Sequence, residues 1–508
     1  MSREQMLRLL LPPSVFLSGA VVMVLEILGT RLIGPVYGTS LYVWSALIAV
    51  TLLSLSLGYW LGGWLCDRVP RSEVFFLLFE VAAFLLVIVP LIRAPVFELT
   101  RPLGLRGGAL ASAALFLAAP LTVLGMISPF AVRLAAGLID TIGSTAGRLY
   151  AISTAGSLAG TLATGFYLIP NFRVRTIFLA SAVALIVPAA IYQVAAARRH
   201  LVFAAIAIAG LLLAARQPLA RSAQVPIVRE SFFAQIKVLD RGTHRALLLN
   251  GAFQSIVSTD KNMSASLYPP VMAELAWRAL PAGGRALVVG LGAGVLPSLL
   301  DSWGVQTRVI EIDPAVVEVA AAYFGFDPIA HPVTIADGRQ FLAATDERYD
   351  YVLLDAFAGE VVPSHLLTAE MMRVVAAHLN PGGVLVLNYD GFRGGQRGRP
   401  LRSIVQTIET SFPWTRVFAI RRQEVYGSNI VLAARGPVDL TPSAPRLPFA
   451  VLPALVPEVY GVKPTTLHGV GSVLTDDYNP LDLWSLEAHE EWRRLALANL
   501  PWDVLLAE

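Results

Sequence analysis

The chain has 508 residues, 55% of them apolar and only 15% charged. It is too long for one ordinary domain and too apolar for a soluble enzyme, so part of it belongs in lipid. The formal net charge of +3, without a basic run interleaved with aromatics, excludes a nucleic-acid partner, and the single cysteine, Cys66, excludes a disulfide framework or a CxxC site.

A helix of about 20 residues crosses a hydrocarbon core of roughly 30 Å, and the first half holds apolar stretches of that order near 13–36, 41–65, 73–93, 108–131, 149–170, 174–197 and 201–215. The reading is a polytopic α-helical membrane domain over 1–215, with about seven spans. The first stretch runs through Glu26 and Arg31 into the next span without a small-residue cleavage pattern, so it is not read as a cleaved leader. Arg31 is the expected partner of Glu26, whose charge is costly inside a bilayer. Gly58, Gly62 and Gly63, and the small residues Ser153, Ala155, Gly156, Ser157, Gly160 and Thr161, predict closely packed helices. Arginines flank the spans on both sides in similar numbers, so charge bias does not fix the orientation.

Past a linker at 216–225 the pattern changes. Residues 227–259 alternate apolar and polar positions, with turn signals at Arg241-Gly242 and Asn250-Gly251, which predicts an antiparallel β element within 226–284. A helix is expected over 261–280, carrying Tyr268. From 285 to the end, strand and helix alternate: ALVVGL, VLPSLLDSW, QTRVIEID, PAVVEVAAAYF, VTIADG, YDYVLLDAF, a helix at 368–379, and GGVLVLNY. That rhythm specifies an α/β Rossmann-like fold, a doubly wound parallel sheet with helices on both faces.

The chemistry concentrates where the predicted strands end. The first runs into Gly290-Leu291-Gly292-Ala293-Gly294, where glycines let a ligand approach the backbone and a helix amino terminus offers free N–H groups. The second ends in Glu311, about seventeen residues beyond Gly294, the place from which a carboxylate accepts ribose hydroxyls. The third ends in Asp337-Gly338, positioned for an adenine edge, and the fourth in Asp355-Ala356-Phe357. A nucleotide cradle follows, and NAD remains the alternative ligand for a glycine loop followed by an acid.

Residues 230–437 resemble the spermidine synthase (polyamine aminopropyltransferase) family in the glycine loop, E-I-D, D-G-R-x-F-L at 337–342, Y-D-Y-V-L-L-D at 349–355, L-L-T-A-E at 366–370 and L-N-P-G-G at 379–383. The whole chain resembles the branch with an amino-terminal multispan domain. The resemblance implies a class I methyltransferase-like fold and a decarboxylated S-adenosylmethionine donor. It assigns Glu311 to the ribose, Asp337 and Gly338 to the base, and Asp355 to deprotonating an attacking small-molecule amine, with release of methylthioadenosine and no metal. A carboxylate at that place both attracts an ammonium and accepts its proton. Gln254 and Tyr268 are expected on the substrate side.

Several family residues are missing. Ala293 stands where the family has an aspartate for the donor's amine, and Ala358 replaces the second acid of D-x-x-D. The tyrosine-glutamine pair falls on Phe233 and Ala234, L-D-G becomes Leu249-Asn250-Gly251, and Y-H-E or Y-Q-E falls on Ser264, Ala265 and Ser266. Ala293 would remove a carboxylate that repels intact S-adenosylmethionine, which keeps that donor open, with aminocarboxypropyl transfer, cleavage or methyl transfer as alternative reactions. A polyamine sensor or transporter that binds nucleotide without turnover is the reading outside enzymes. Glu360, His365, Asp476 and Asp477 are the candidates to replace the lost acids. Cytosolic donor supply puts the second domain in the cytosol and, with seven spans, the amino terminus outside a cell membrane that is the chain's lipid partner. A homodimer is also expected.

Overall fold

The computed structural model describes residues 3–136, 142–197, 222–260, 263–281, 284–357, 359–421, 425–441 and 453–507. They divide into two compact units, the second running from Ser222 to Val504.

Among the described residues, six helices of the first unit are long and apolar enough to cross a membrane: Glu4–Tyr37, Leu41–Arg68, Ser72–Leu91, Arg93–Ala136, Gly143–Asn171 and Val174–Ala195. The expected stretch at 201–215, and most of the 216–225 linker, lie outside the described residues. The span expected at 108–131 is the later part of a longer segment. That segment is interrupted by a 3-10 turn at Arg101–Leu103, where Pro102 removes a backbone donor and Gly104 takes φ +72°. Most of the predicted small residues sit where helices touch. A Cβ on Gly58 would stand 2.3 Å from the Thr122 carbonyl oxygen, one on Gly156 2.0 Å from that of Phe16, and one on Gly160 2.4 Å from that of Ala20, whereas Gly63 faces open space. Ser157 Oγ donates to the Gly19 carbonyl at 3.2 Å. Glu26 and Arg31 are half-buried. The deeply buried acid is instead Glu80, which accepts from Gln193 Nε2; its place in an apolar run left no sequence signal beyond its charge.

The second unit opens with a four-stranded antiparallel sheet in the order β1-β2-β3-β4 (Ile227–Glu230, Gln235–Arg241, His244–Leu249, Ala252–Ser258). Asn250 and Gly251 both take positive φ, +50° and +76°, as a two-residue hairpin turn of the right twist requires. The helix expected over 261–280 is shorter, Tyr268–Ala279. Pro269 and Pro270 occupy its first turn, where missing N–H groups cost nothing, and Ser264 pairs with Val257 as a β-bridge instead.

The eight-stranded sheet has the order β12-β10-β11-β9-β8-β5-β6-β7. Its parallel part is β5 (Arg285–Val289), β6 (Gln306–Glu311), β7 (Val333–Ile335), β8 (Tyr349–Leu354) and β9 (Leu379–Phe392). β10 (Trp414–Ala419) and β11 (Tyr426–Ala434) complete it antiparallel, with β12 (Pro464–Thr465) at the edge. β5 and β8 are buried nearly throughout, the signature of strands covered on both faces. The chain leaves β5 for β6 on one side and later returns to β8 on the other. Their carboxyl ends therefore mark the switch point, where sheets of this kind open a crevice.

Candidate active site

At the end of β5, Gly290 takes φ +95°, and a Cβ there would lie 2.2 Å from the Asp355 carbonyl oxygen. Only glycine lets β5 and β8 run side by side into the crevice. Gly294, at φ +77°, caps helix Val295–Ser302 and packs on Phe326. Between them, Gly290, Leu291 and Gly292 line a cavity of about 200 Å³ together with Glu311, Asp313, Asp337, Gly338, Asp355, Phe357 and His365. Ala293 does not face it. Its side chain is 3% exposed within the hydrophobic core, and its amide donates to Ser255 Oγ at 3.2 Å. Ala293, expected to discriminate between donors, is not a wall of this cavity, because the turn set by the flanking glycines folds residue 293 inward.

Glu311 is buried at the end of β6. One carboxylate oxygen accepts from the Leu291 amide and the other from the Asp313 amide, each at 2.9 Å. Burial pushes the carboxyl up, and these two amides pull it back. A fixed acceptor thus faces the glycine turn. Asp337 caps helix Gly338–Ala344 through the amides of Arg339 and Gln340, both at 3.0 Å, and meets His365 Nε2 at 2.8 Å. Partial burial raises its carboxyl, but the Gln340 amide, the His365 ring and the Arg339 amide hold it below the usual range. His365, though distant in sequence, is thereby a wall residue of the cavity beside Asp337.

Asp355 follows β8. Asn388 of β9 donates to its Oδ1 at 3.0 Å. Burial pushes the carboxyl up to about 6, against the pull of hydrogen bonds from Asn388 and Tyr268. The Tyr268 hydroxyl, which also reaches the Gln254 carbonyl at 3.0 Å, is raised well above its usual range by burial and by Asp355, so it stays protonated. Gln254 and Tyr268 line both the first cavity and a second one of about 370 Å³. The second contains Asp390, which burial, opposed by Ser428 and reinforced by Asp355, raises to about 7. Asn388 and Asp390 carried no motif signal; their alternation along a strand ending beside Asp355 was the available clue.

The other expected acids are engaged elsewhere. Glu360 is buried against Arg493. Asp476 is gripped by both terminal nitrogens of Arg339, which holds it down to about 2, and Asp477 is exposed. None of these three is among the residues lining the two cavities; opposite charges distant in sequence claim the first two. Arg339 also reaches the His365 carbonyl at 3.1 Å, so the D-G-R and L-T-D-D-Y segments clasp the loop that carries His365. Among the described residues, no cluster of His, Cys, Asp or Glu could hold a metal ion.

Residues 268–392, the stretch holding the glycine turn, Glu311, Asp337, Asp355 and Asp390, match the family described as spermine/spermidine synthase domain. The chain is 30% identical over 187 residues to a probable polyamine aminopropyl transferase of Bifidobacterium longum, covering 36% of this chain and 41% of the relative. It is 37% identical over 145 residues to an N-terminal histidine N-methyltransferase of Emericella nidulans, covering 27% of this chain and 25% of the relative. The chain thus spans less than half the length of these relatives. A crystal structure of a probable spermidine synthase from Corynebacterium glutamicum superposes with a TM-score of 0.38 at 17% identity, covering 43% of this chain and 82% of that one.

Proposed function

We propose that the Rossmann unit of this spermine/spermidine synthase-like chain transfers an aminopropyl-type group from decarboxylated S-adenosylmethionine to a small amine. The observation that carries this reading is the junction at Asp355, a half-buried carboxylate raised to about 6 and hydrogen-bonded to a tyrosine shared by two adjoining cavities. The acid beside the second cavity, Asp390, suits a cationic acceptor. In the proposed reaction Glu311 holds the ribose, and Asp337 with Gly338 and His365 borders the base. An ammonium drawn between Asp355 and Asp390 gives its proton to Asp355. The free amine then attacks the carbon next to the sulfonium: a C–N bond forms, the C–S bond breaks, and neutral methylthioadenosine leaves with the electron pair. Tyr268 orients the nucleophile, and proximity supplies much of the acceleration.

The donor preference follows from charge. The acidic side chains lining the first cavity are Glu311, Asp313, Asp337 and Asp355; no Lys or Arg lines it, and His365 is already hydrogen-bonded to Asp337. A tail bearing a carboxylate would meet like charge at Asp355, costing on the order of 3 kcal/mol at about 5 Å and an effective dielectric near 20. A tail bearing only an ammonium is attracted. We further infer that the six apolar helices anchor the chain in a cell membrane, with the transferase unit on the cytosolic side where the donor is made. Purified protein, given each donor with and without putrescine, should release methylthioadenosine from the decarboxylated donor in an amine-dependent way. Amine-independent release, or methylated product from intact S-adenosylmethionine, would replace this reading with lyase or methyltransferase chemistry. Reporter fusions after Arg221 test the topology, and activity only on the outer side would overturn it.

A further inference from the structure

Helix Leu486–Asn499 lies far outside the matched 268–392 stretch, yet it lines the second cavity and touches a wall residue of the first. Trp492, Leu495, Ala496 and Asn499 line the second cavity, at the spacing that puts residues on one helical face. The Trp492 ring also contacts Phe357, a wall of the first cavity, with centroids 5.9 Å apart. The next residue, Arg493, has a side chain only 1% exposed; it pairs with Glu360, 2% exposed, and donates to the Asn250 carbonyl at 2.8 Å. Gln254 Nε2 donates to the Gly359 carbonyl at 2.8 Å. The segment that follows Asp355 is thus fastened from the helix at Phe357 and Glu360, and from β4 at Gly359.

Resting on the acceptor reading above, we propose that helix Leu486–Asn499 is part of the transferase site, with Trp492 setting acceptor size and Arg493 acting as a positioning residue. Arg493 touches neither the donor cavity nor the acceptor cavity. It acts through Glu360 by holding the turn after β8, and therefore Asp355 and Phe357, in register with the cavity they border. A buried charge pair is a costly way to fix a loop, since an apolar pair of similar volume stabilises as well or better. What the pair adds is a fixed position: the guanidinium ties Glu360 and the Asn250 turn to one point on the helix.

The test uses the full-length protein in detergent. Removing one partner strands a buried charge and threatens the fold, so the informative change is the double variant Glu360→Leu/Arg493→Met, followed by thermal melting, methylthioadenosine calorimetry and steady-state kinetics with diamines of three to six carbons. The expected result is a melting temperature at or above wild type, with kcat at least tenfold lower and methylthioadenosine affinity at least threefold weaker. Arg493→Lys should recover part of the rate. A folded double variant with wild-type kcat and affinity overturns the positioning role and leaves the transferase reading intact. Wild-type protein that binds no methylthioadenosine overturns both. If wild type binds nucleotide but turns over none of the diamines, the aminopropyl-transfer reading fails, and the affinity comparison still decides Arg493. If the double variant does not fold, Trp492→Ala decides: a shift in preference toward longer or bulkier amines by fivefold or more supports the proposal, and an unchanged KM series overturns it.

Discussion

Replacing Glu311 by glutamine asks more of the site than an isosteric change usually does. Both carboxylate oxygens already accept a backbone amide, from Leu291 and Asp313 at 2.9 Å each. An amide side chain has one oxygen, so its NH2 must confront one of these N–H donors inside a buried site, and the side chain has to turn away. Hydrogen bonds to a charged group contribute about 1.5–3 kcal/mol each, and roughly 1.4 kcal/mol corresponds to a tenfold change in affinity. Losing one to two ribose contacts should therefore weaken methylthioadenosine ten- to a hundredfold in Glu311→Gln and in Glu311→Ala alike. Glu311→Asp, which keeps two acceptors on a shorter arm, should lose less. Calorimetry at constant pH reads the affinity, and a thermal melt separates it from unfolding. If Glu311→Gln binds within threefold of wild type, Glu311 only braces the glycine turn and the ribose assignment is refuted.

Asp355→Asn should lower turnover by two orders of magnitude or more, and the wild-type rate should rise with pH through about 6 as the carboxylate ionises. The stability effect has the opposite sign. The folded state binds the Asp355 proton more tightly than an unfolded aspartate near 3.9, so wild-type stability falls as pH rises from about 4 to about 6, by up to roughly 3 kcal/mol. Asp355→Asn escapes that loss and should melt higher than wild type at pH 8; a lower melting point at pH 8 and an unaltered rate profile would remove Asp355 as the base. Asp390→Asn should raise the amine KM at least tenfold while leaving methylthioadenosine affinity unchanged, and equal losses in both would deny it the acceptor role. In the membrane unit, Gly160→Leu places a side chain where the Ala20 carbonyl already sits, whereas Gly63→Leu enters open space. Melting of detergent-solubilised protein should drop markedly for the first and hold for the second, and similar values for both would refute the close packing.

Periodicity and strand-end chemistry made most of the second unit legible from sequence. The strands at ALVVGL, QTRVIEID and YDYVLLDAF and the helix Pro314–Phe324 stand where alternation and turn residues place them, because local preferences and the sheet agree there. Composition likewise revealed the membrane-length helices, and helix packing used Gly58, Gly156 and Gly160 as their size suggests. Side-chain destinations were a different matter. Glu360 and Asp476 look like free acids in the sequence, but Arg493 and Arg339, 133 and 137 residues away from them, pair with them in the fold. Ala293 reads as a cavity residue in the sequence, but the turn buries it. Conversely, Asn388 and Asp390 gain their place from the pairing of β8 with β9, and Trp492 from the seating of a helix far along the chain. Sequence determines which segments form and which strand ends meet; only the folded chain decides which charges neutralise one another, because electrostatic pairing acts through space and leaves no period in the sequence.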